Sequence, residues 1–175
     1  MSNPNYKMLL VDDEPNILRA VTRILRTSSV ELITASSAED ALTKLEHEKV
    51  ALVLTDYRMP GMNGVELLRR VRNIDPDTIR MIISGHSDME TVLSAINEGE
   101  VFRFITKPWN DLDLQVSINL ALAHRRLVDE KRALAEELEY LRTLLARIRQ
   151  ADPALVESVL TEPMKSELKL SGKEA

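Results

Sequence analysis

Ala51-Leu52-Val53-Leu54-Thr55-Asp56 is an apolar run that stops at a hydroxyl and a carboxylate. A short run with no polar alternation is the mark of a strand covered on both faces, so residues 50–55 read as a buried strand of a parallel sheet. The same design occurs three more times. Met8-Leu9-Leu10-Val11 ends in Asp12-Asp13, Ile79-Arg80-Met81-Ile82-Ile83 ends in Ser84, and Val101-Phe102-Arg103-Phe104-Ile105 ends in Thr106-Lys107. As parallel strands, these runs bring three carboxylates, a hydroxyl and an ammonium to one sheet edge. In open α/β sheets, ligands bind outside the carboxyl ends of the strands.

Helical patterns separate the runs. From Pro15 to about Thr27, Ile17, Val21, Ile24 and Leu25 share one face. Val30–Ala35 reads as a further strand. Ser37-Ala38-Glu39-Asp40 resembles a capping box and opens a helix that buries Ala38, Ala41, Leu42 and Leu45. The turn-rich loop Met59-Pro60-Gly61-Met62-Asn63-Gly64 leads to a helix from about Val65 to Arg72. Ser87-Asp88-Met89-Glu90 is a second capping box, for a helix ending near Gly99, and Asn110 or Asp111 opens a fifth helix. Strict alternation of five strands and five helices defines an α/β fold. Right-handed crossovers leave few topologies for it.

The fifth helix continues beyond the domain. Leu120, Leu127, Leu134, Leu141 and Ile148 recur every seven residues, with Leu138 and Leu145 four after Leu134 and Leu141. This is a coiled-coil seam, weakened locally by His124 and Lys131, which fall on its weaker half. From Asp111 to Gln150 such a helix is on the order of 60 Å long at ~1.5 Å per residue, and it needs a partner helix. The expected organisation is a globular domain at 1–123, a coiled-coil extension at 124–150, and a short helix with a disordered tail at 151–175.

Composition narrows the function. The net charge of −5 argues against a general nucleic-acid binder, and the absence of cysteine excludes disulfides and thiolate metal sites. No apolar run reaches the ~20 residues of a membrane span, and the polar N-terminus shows no signal peptide, so a cytoplasmic location is expected. Asp12, Asp13 and Asp56 on adjacent strand ends repel one another and call for a cation. Oxygen-only donors favour Mg²⁺. Asp56, ending a buried strand, is the candidate nucleophile for phosphoryl transfer, and Lys107 is a point charge for the phosphoryl oxygens. Lys107-Pro108 also invites a cis peptide. Ser84 supplies a hydroxyl. Arg58 and His86, two residues beyond Asp56 and Ser84, are expected to flank the phosphoryl group and tune its hydrolysis.

Val11-Asp12-Asp13-Glu14, Leu54-Thr55-Asp56-Tyr57-Arg58-Met59-Pro60-Gly61-Met62-Asn63-Gly64, Ile83-Ser84-Gly85-His86 and Phe104-Ile105-Thr106-Lys107-Pro108 together resemble the receiver domain of two-component response regulators. The resemblance covers residues 5 to about 123, and details around Ile79–Gly85 and Ile96–Trp109 are most similar to receivers joined to cyclic-di-GMP phosphodiesterase and related outputs. It implies a flavodoxin-like (βα)5 doubly wound sheet of order 2-1-3-4-5. It also implies that Asp56 takes a phosphoryl group from a histidine kinase or phosphotransfer protein. Asp13, Asp56 and the Arg58 carbonyl would bind Mg²⁺ directly, and Asp12 through water. Ser84 and Lys107 would hold the phosphoryl oxygens, and Ser84 with Phe104 would form the switch that reshapes the face of the fourth helix, fifth strand and fifth helix. Ser84 stands where threonine is more frequent, and Phe104 where tyrosine is.

Other classes fit less well. A haloacid-dehalogenase-like phosphatase needs Asp-x-Asp on the first strand, whereas this chain has adjacent Asp12-Asp13. A DNA-binding output needs a helix-turn-helix, and none is apparent after residue 124. The expected function is a phosphorylation-dependent response regulator, without turnover beyond its own phosphorylation and dephosphorylation, that forms a homodimer through a parallel coiled coil and signals to a downstream protein. The alternative is an N-terminal regulatory fragment of a longer regulator with an output enzyme.

Overall fold

The computed structural model describes residues 6–27, 30–85 and 101–151. The elements are β1 (Tyr6–Val11), α1 (Pro15–Ile24) with a 3-10 turn (Leu25–Thr27), β2 (Val30–Ala35), α2 (Ala38–Leu45), β3 (Leu52–Asp56), α3 (Gly64–Ile74), β4 (Ile79–Ser84), β5 (Arg103–Thr106) and a long helix (Asp111–Ala151). The strands form one parallel sheet in the order β2-β1-β3-β4-β5. This is the flavodoxin-like arrangement that the motifs imply.

Both sheet faces are covered, so the strand side chains split by period two into two cores. Leu9, Val11, Val53 and Ile82 meet α2 and α3 through Ala38, Ala41, Leu67, Leu68 and Val71. On the other face Met8, Leu10, Leu52, Leu54, Met81 and Ile83 meet Val21 and Ile24 of α1 and Leu114, Ile118, Ala121 and Leu122 of the long helix. Gln115 ties that helix to α1 by donating to the Ile24 carbonyl at 2.8 Å.

Caps explain most element boundaries. Ser37 accepts the Asp40 N–H at 3.1 Å, and the Asp40 carboxylate reaches back to the Ser36 N–H at 3.2 Å. Asn63 accepts the Glu66 N–H at 3.0 Å, which starts α3 at Gly64, one residue earlier than the sequence pattern indicates. Asn110 accepts the Leu112 N–H at 2.8 Å at the head of the long helix. β5 begins at Arg103 rather than 101, although the Phe102 N–H already donates to Arg80 at 2.7 Å.

The chain divides into two compact units, Met1–Val128 and Asp129–Ala175. In the second, Leu134, Leu138 and Leu141 are exposed, and Leu145 and Ile148 are half-buried. The expected second capping box, the helix ending near Gly99, His86, and the short helix and tail after 151 lie outside the described residues.

Candidate functional site

Strand register builds the site. Val11 pairs with Thr55, Asp56 with Ile83, and Ser84 with Thr106, so the ends of β1, β3, β4 and β5 come level. Asp12 follows β1, Asp56 closes β3, Ser84 closes β4, and Lys107 follows β5. The connections at the edge are tied down as well. Tyr57 N–H donates to Ile83 at 2.9 Å, and Lys107 N–H donates to Ser84 at 2.8 Å. The Lys107–Pro108 peptide is cis, the isomer that its sequence invites.

Lys107 Nζ is the centre of the cluster. It lies 2.6 Å from Asp56 Oδ1, 3.5 Å from Asp12 Oδ2 and 3.8 Å from Glu14 Oε1. Backbone groups hold the other carboxylate oxygens. Asp56 Oδ2 accepts the Arg58 N–H at 2.8 Å, and Asp12 Oδ1 accepts the Glu14 N–H at 2.8 Å. Both aspartates are buried, Asp12 completely. Burial pushes the Asp12 carboxyl up to about 6, and the negative charge of Asp56 acts in the same direction, against the pull of the Glu14 N–H and of Lys107. Burial pulls Lys107 down, but its hydrogen bond to Asp56 and the charges of Asp12, Asp56 and Glu14 outweigh that and hold the ammonium above its ordinary range. Lys107 therefore stays charged at neutral pH, within reach of both Asp12 and Asp56.

Asp12, Asp56, Ser84 and Lys107 thus share one edge. Asp13 and the Arg58 side chain are exposed, and Asp13 takes no part in the Lys107 cluster. Among the described residues no three carboxylates or imidazoles are already arranged as a metal cage. The donor chemistry nevertheless fits Mg²⁺. Asp12, Asp13 and Asp56 offer only oxygen, and one ammonium does not balance them, which suits a hard ion that keeps several waters.

Ser84 is buried, and its hydroxyl donates to the Gly85 carbonyl at 3.2 Å. Phe104 is half-buried and borders a cavity of about 300 Å³ that Thr106, Pro108, Val116 and Ser117 also line. Lys107 itself lines a second, mainly apolar hollow of about 430 Å³ together with Ile17, Pro108 and Trp109. Sequence reasoning missed two contributors. Glu14 reaches Lys107, and Thr55 Oγ1 donates to the Asp56 carbonyl at 3.0 Å. Both flank the aspartates in sequence, and that adjacency was the available signal.

The family model for the response regulator receiver domain matches residues 8–119. The hydrogenase transcriptional regulatory protein HoxA of Bradyrhizobium diazoefficiens is 41% identical over 123 residues, covering 70% of this chain and 25% of that protein. The chain therefore spans about a quarter of the length of that relative. Among solved structures, an adenylate cyclase from Rhodopirellula baltica is 34% identical with a TM-score of 0.72, covering 75% of this chain and 98% of the solved one. The signal receiver domain of an HD domain-containing protein from Pseudomonas fluorescens is 34% identical with a TM-score of 0.66, covering 70% and 98%. With its sheet order and its charged edge, the chain belongs to the response regulator receiver family.

Proposed function

We propose that Asp56 is the phosphoryl acceptor of a two-component phosphorelay and that a histidine kinase or phosphotransfer protein is its donor. The observation that carries this reading is the Lys107 ammonium 2.6 Å from Asp56 Oδ1, with buried Asp12 beside it. In the transfer an Asp56 carboxylate oxygen attacks phosphorus while the donor N–P bond breaks. Lys107 leaves its pairing with Asp56 for a phosphoryl oxygen, so the charge that held the resting carboxylate then stabilises the transferred group. Asp13, Asp56 and the Arg58 carbonyl would hold Mg²⁺, and Asp12 would assist through water. When bound, the ion neutralises charge on the phosphoryl group.

Ser84 Oγ exchanges the Gly85 carbonyl for a phosphoryl oxygen, and Phe104 follows into the space that this vacates. Differential contact with the phosphoryl group is what shifts the population. Arg58 and His86 govern the approach of water. The protein acts in the cytoplasm, as a switch rather than a turnover enzyme. No described helix is long and apolar enough to cross a membrane.

The output passes through a homodimer. Leu127, Leu134, Leu138 and Leu141 form an exposed apolar stripe, and a second copy of the same helix is the occupant that its seven-residue spacing fits. Glu137 precedes Leu138 and Arg142 follows Leu141, so they take the flanking g and e positions. In a parallel, in-register pair Glu137 faces Arg142 of the other copy, whereas an antiparallel pair sets like charges together. A second reading, a regulatory segment of a longer protein with its own output, is favoured by the match to only 25% of HoxA. HoxA is named as a transcriptional regulator, whereas the similar solved structures are an adenylate cyclase and the signal receiver domain of an HD domain-containing protein.

Beryllofluoride, a phosphoryl mimic, tests the site. Trp109, two residues from Lys107 and the only tryptophan, should report Mg²⁺-dependent binding in the wild type and none in Asp56→Asn. Equal responses would place the acceptor elsewhere.

A further inference from the structure

Gly64 opens α3 directly against the backbone of Asp56. A Cβ at Gly64 would overlap the Asp56 carbonyl oxygen, and would lie 3.1 Å from its carbonyl carbon and 3.1 Å from Thr55 Cγ2. Its N–H donates to the Tyr57 carbonyl at 3.0 Å. Gly64 has no positive φ, so the backbone conformation does not demand glycine there. Glycine is also a poor helix former. Close approach is the remaining physical reason for it, since only a residue without a side chain lets the helix start touch the peptide of the nucleophile.

That peptide is held on three sides. Thr55 Oγ1 donates to the Asp56 carbonyl, the following N–H of Tyr57 donates to Ile83, and the Arg58 N–H fixes Asp56 Oδ2. Gly64 closes the fourth side. In the resting state the carboxylate is tethered at both oxygens, one by the Arg58 N–H and the other by Lys107. Any push on the carbonyl is passed to the reacting oxygens.

We infer that Gly64 is a positioning residue for phosphoryl transfer: the α3 start acts as a stop that sets the Asp56 carboxylate against Lys107. This rests on Asp56 being the acceptor. The nearby Gly61 supplies an internal control. Its φ of 77° also penalises a side chain, but a Cβ there would have Glu39 Oε1 at 3.5 Å and nothing of Asp56 as its neighbour.

The experiment compares the 175-residue wild type, Gly64→Ala, Gly61→Ala and Asp56→Asn. It reads beryllofluoride affinity in Mg²⁺ by Trp109 fluorescence and the urea midpoint by circular dichroism. The expected result is a loss of affinity of about tenfold or more for Gly64→Ala, with wild-type affinity for Gly61→Ala even though its midpoint falls. Wild-type affinity in Gly64→Ala, or losses in both alanine variants that track their midpoints, would overturn the inference. A wild type that fails to bind, or an Asp56→Asn that binds, would overturn the acceptor assignment and this inference with it. Should Gly64→Ala not fold, backbone NMR of the wild type decides the matter. Beryllofluoride should shift the Gly64 amide more than the Gly61 amide, and an equal or smaller shift would reject the role.

Discussion

Asp12 bears the cost of this site's chemistry. Its carboxyl is raised from 3.8 to about 6, first by burial. Through that window the folded chain binds more protons at Asp12 than the unfolded chain does, so this residue removes stability as pH rises from 3.8 to about 6. Asp12→Asn should therefore raise the urea midpoint at neutral pH without Mg²⁺ and flatten its pH dependence below about 6. A lower midpoint would mean that pairing with Lys107 outweighs desolvation. Lys107→Ala should act oppositely on two ligands. Removing a positive charge beside the aspartates should tighten Mg²⁺ alone, while losing a charged hydrogen bond should weaken beryllofluoride about tenfold or more. Parallel losses for both ligands in a titration would contradict the assigned role. Asp12, Asp56, Ser84 and Lys107 were legible because each interrupts or follows an apolar run. The approach of Gly64 to Asp56 was not, because it depends on the distance between two backbone segments, which no local pattern encodes.

The long helix reads as two faces with different obligations. Leu114, Ile118, Ala121 and Leu122 are buried against the sheet, while Leu120, Leu127, Leu134, Leu138 and Leu141 are exposed. The seven-residue repeat made the second set visible in the sequence, but the first set emerges only once the sheet is in place. Leu138→Asp should abolish self-association and reduce helicity in a concentration-independent way, measured by sedimentation and circular dichroism. Unchanged mass would remove Leu138 from the interface. Arg142→Glu should weaken the dimer modestly, since exposed pairs contribute about 0.2–1 kcal/mol. Adding Glu137→Arg should recover the loss in a parallel dimer, and failure to recover it would argue for another orientation. Caps at Ser37 and near Asn110 were readable because side-chain acceptors next to helix starts have a fixed spacing. Strand ends were less so, since pairing such as Phe102 with Arg80 runs past the regular strand.

For the whole molecule, five apolar runs separated by helical patterns were enough for an α/β sheet covered on both faces. The order 2-1-3-4-5 came from family resemblance rather than from hydrophobic pattern, because local periodicity says nothing about which strands are neighbours. Assembly is tested by light scattering with Mg²⁺ alone and with Mg²⁺ plus beryllofluoride. The expected result is a dimer in both, with signalling as a rearrangement inside it, and a monomer in both would remove the coiled coil from the account. The central claim remains the acceptance of a phosphoryl group by Asp56. Intact-protein mass after incubation with phosphoramidate and Mg²⁺ tests it most directly. One added phosphoryl group in the wild type and none in Asp56→Asn is the predicted result, whereas no addition to the wild type, or equal addition to both chains, would contradict it.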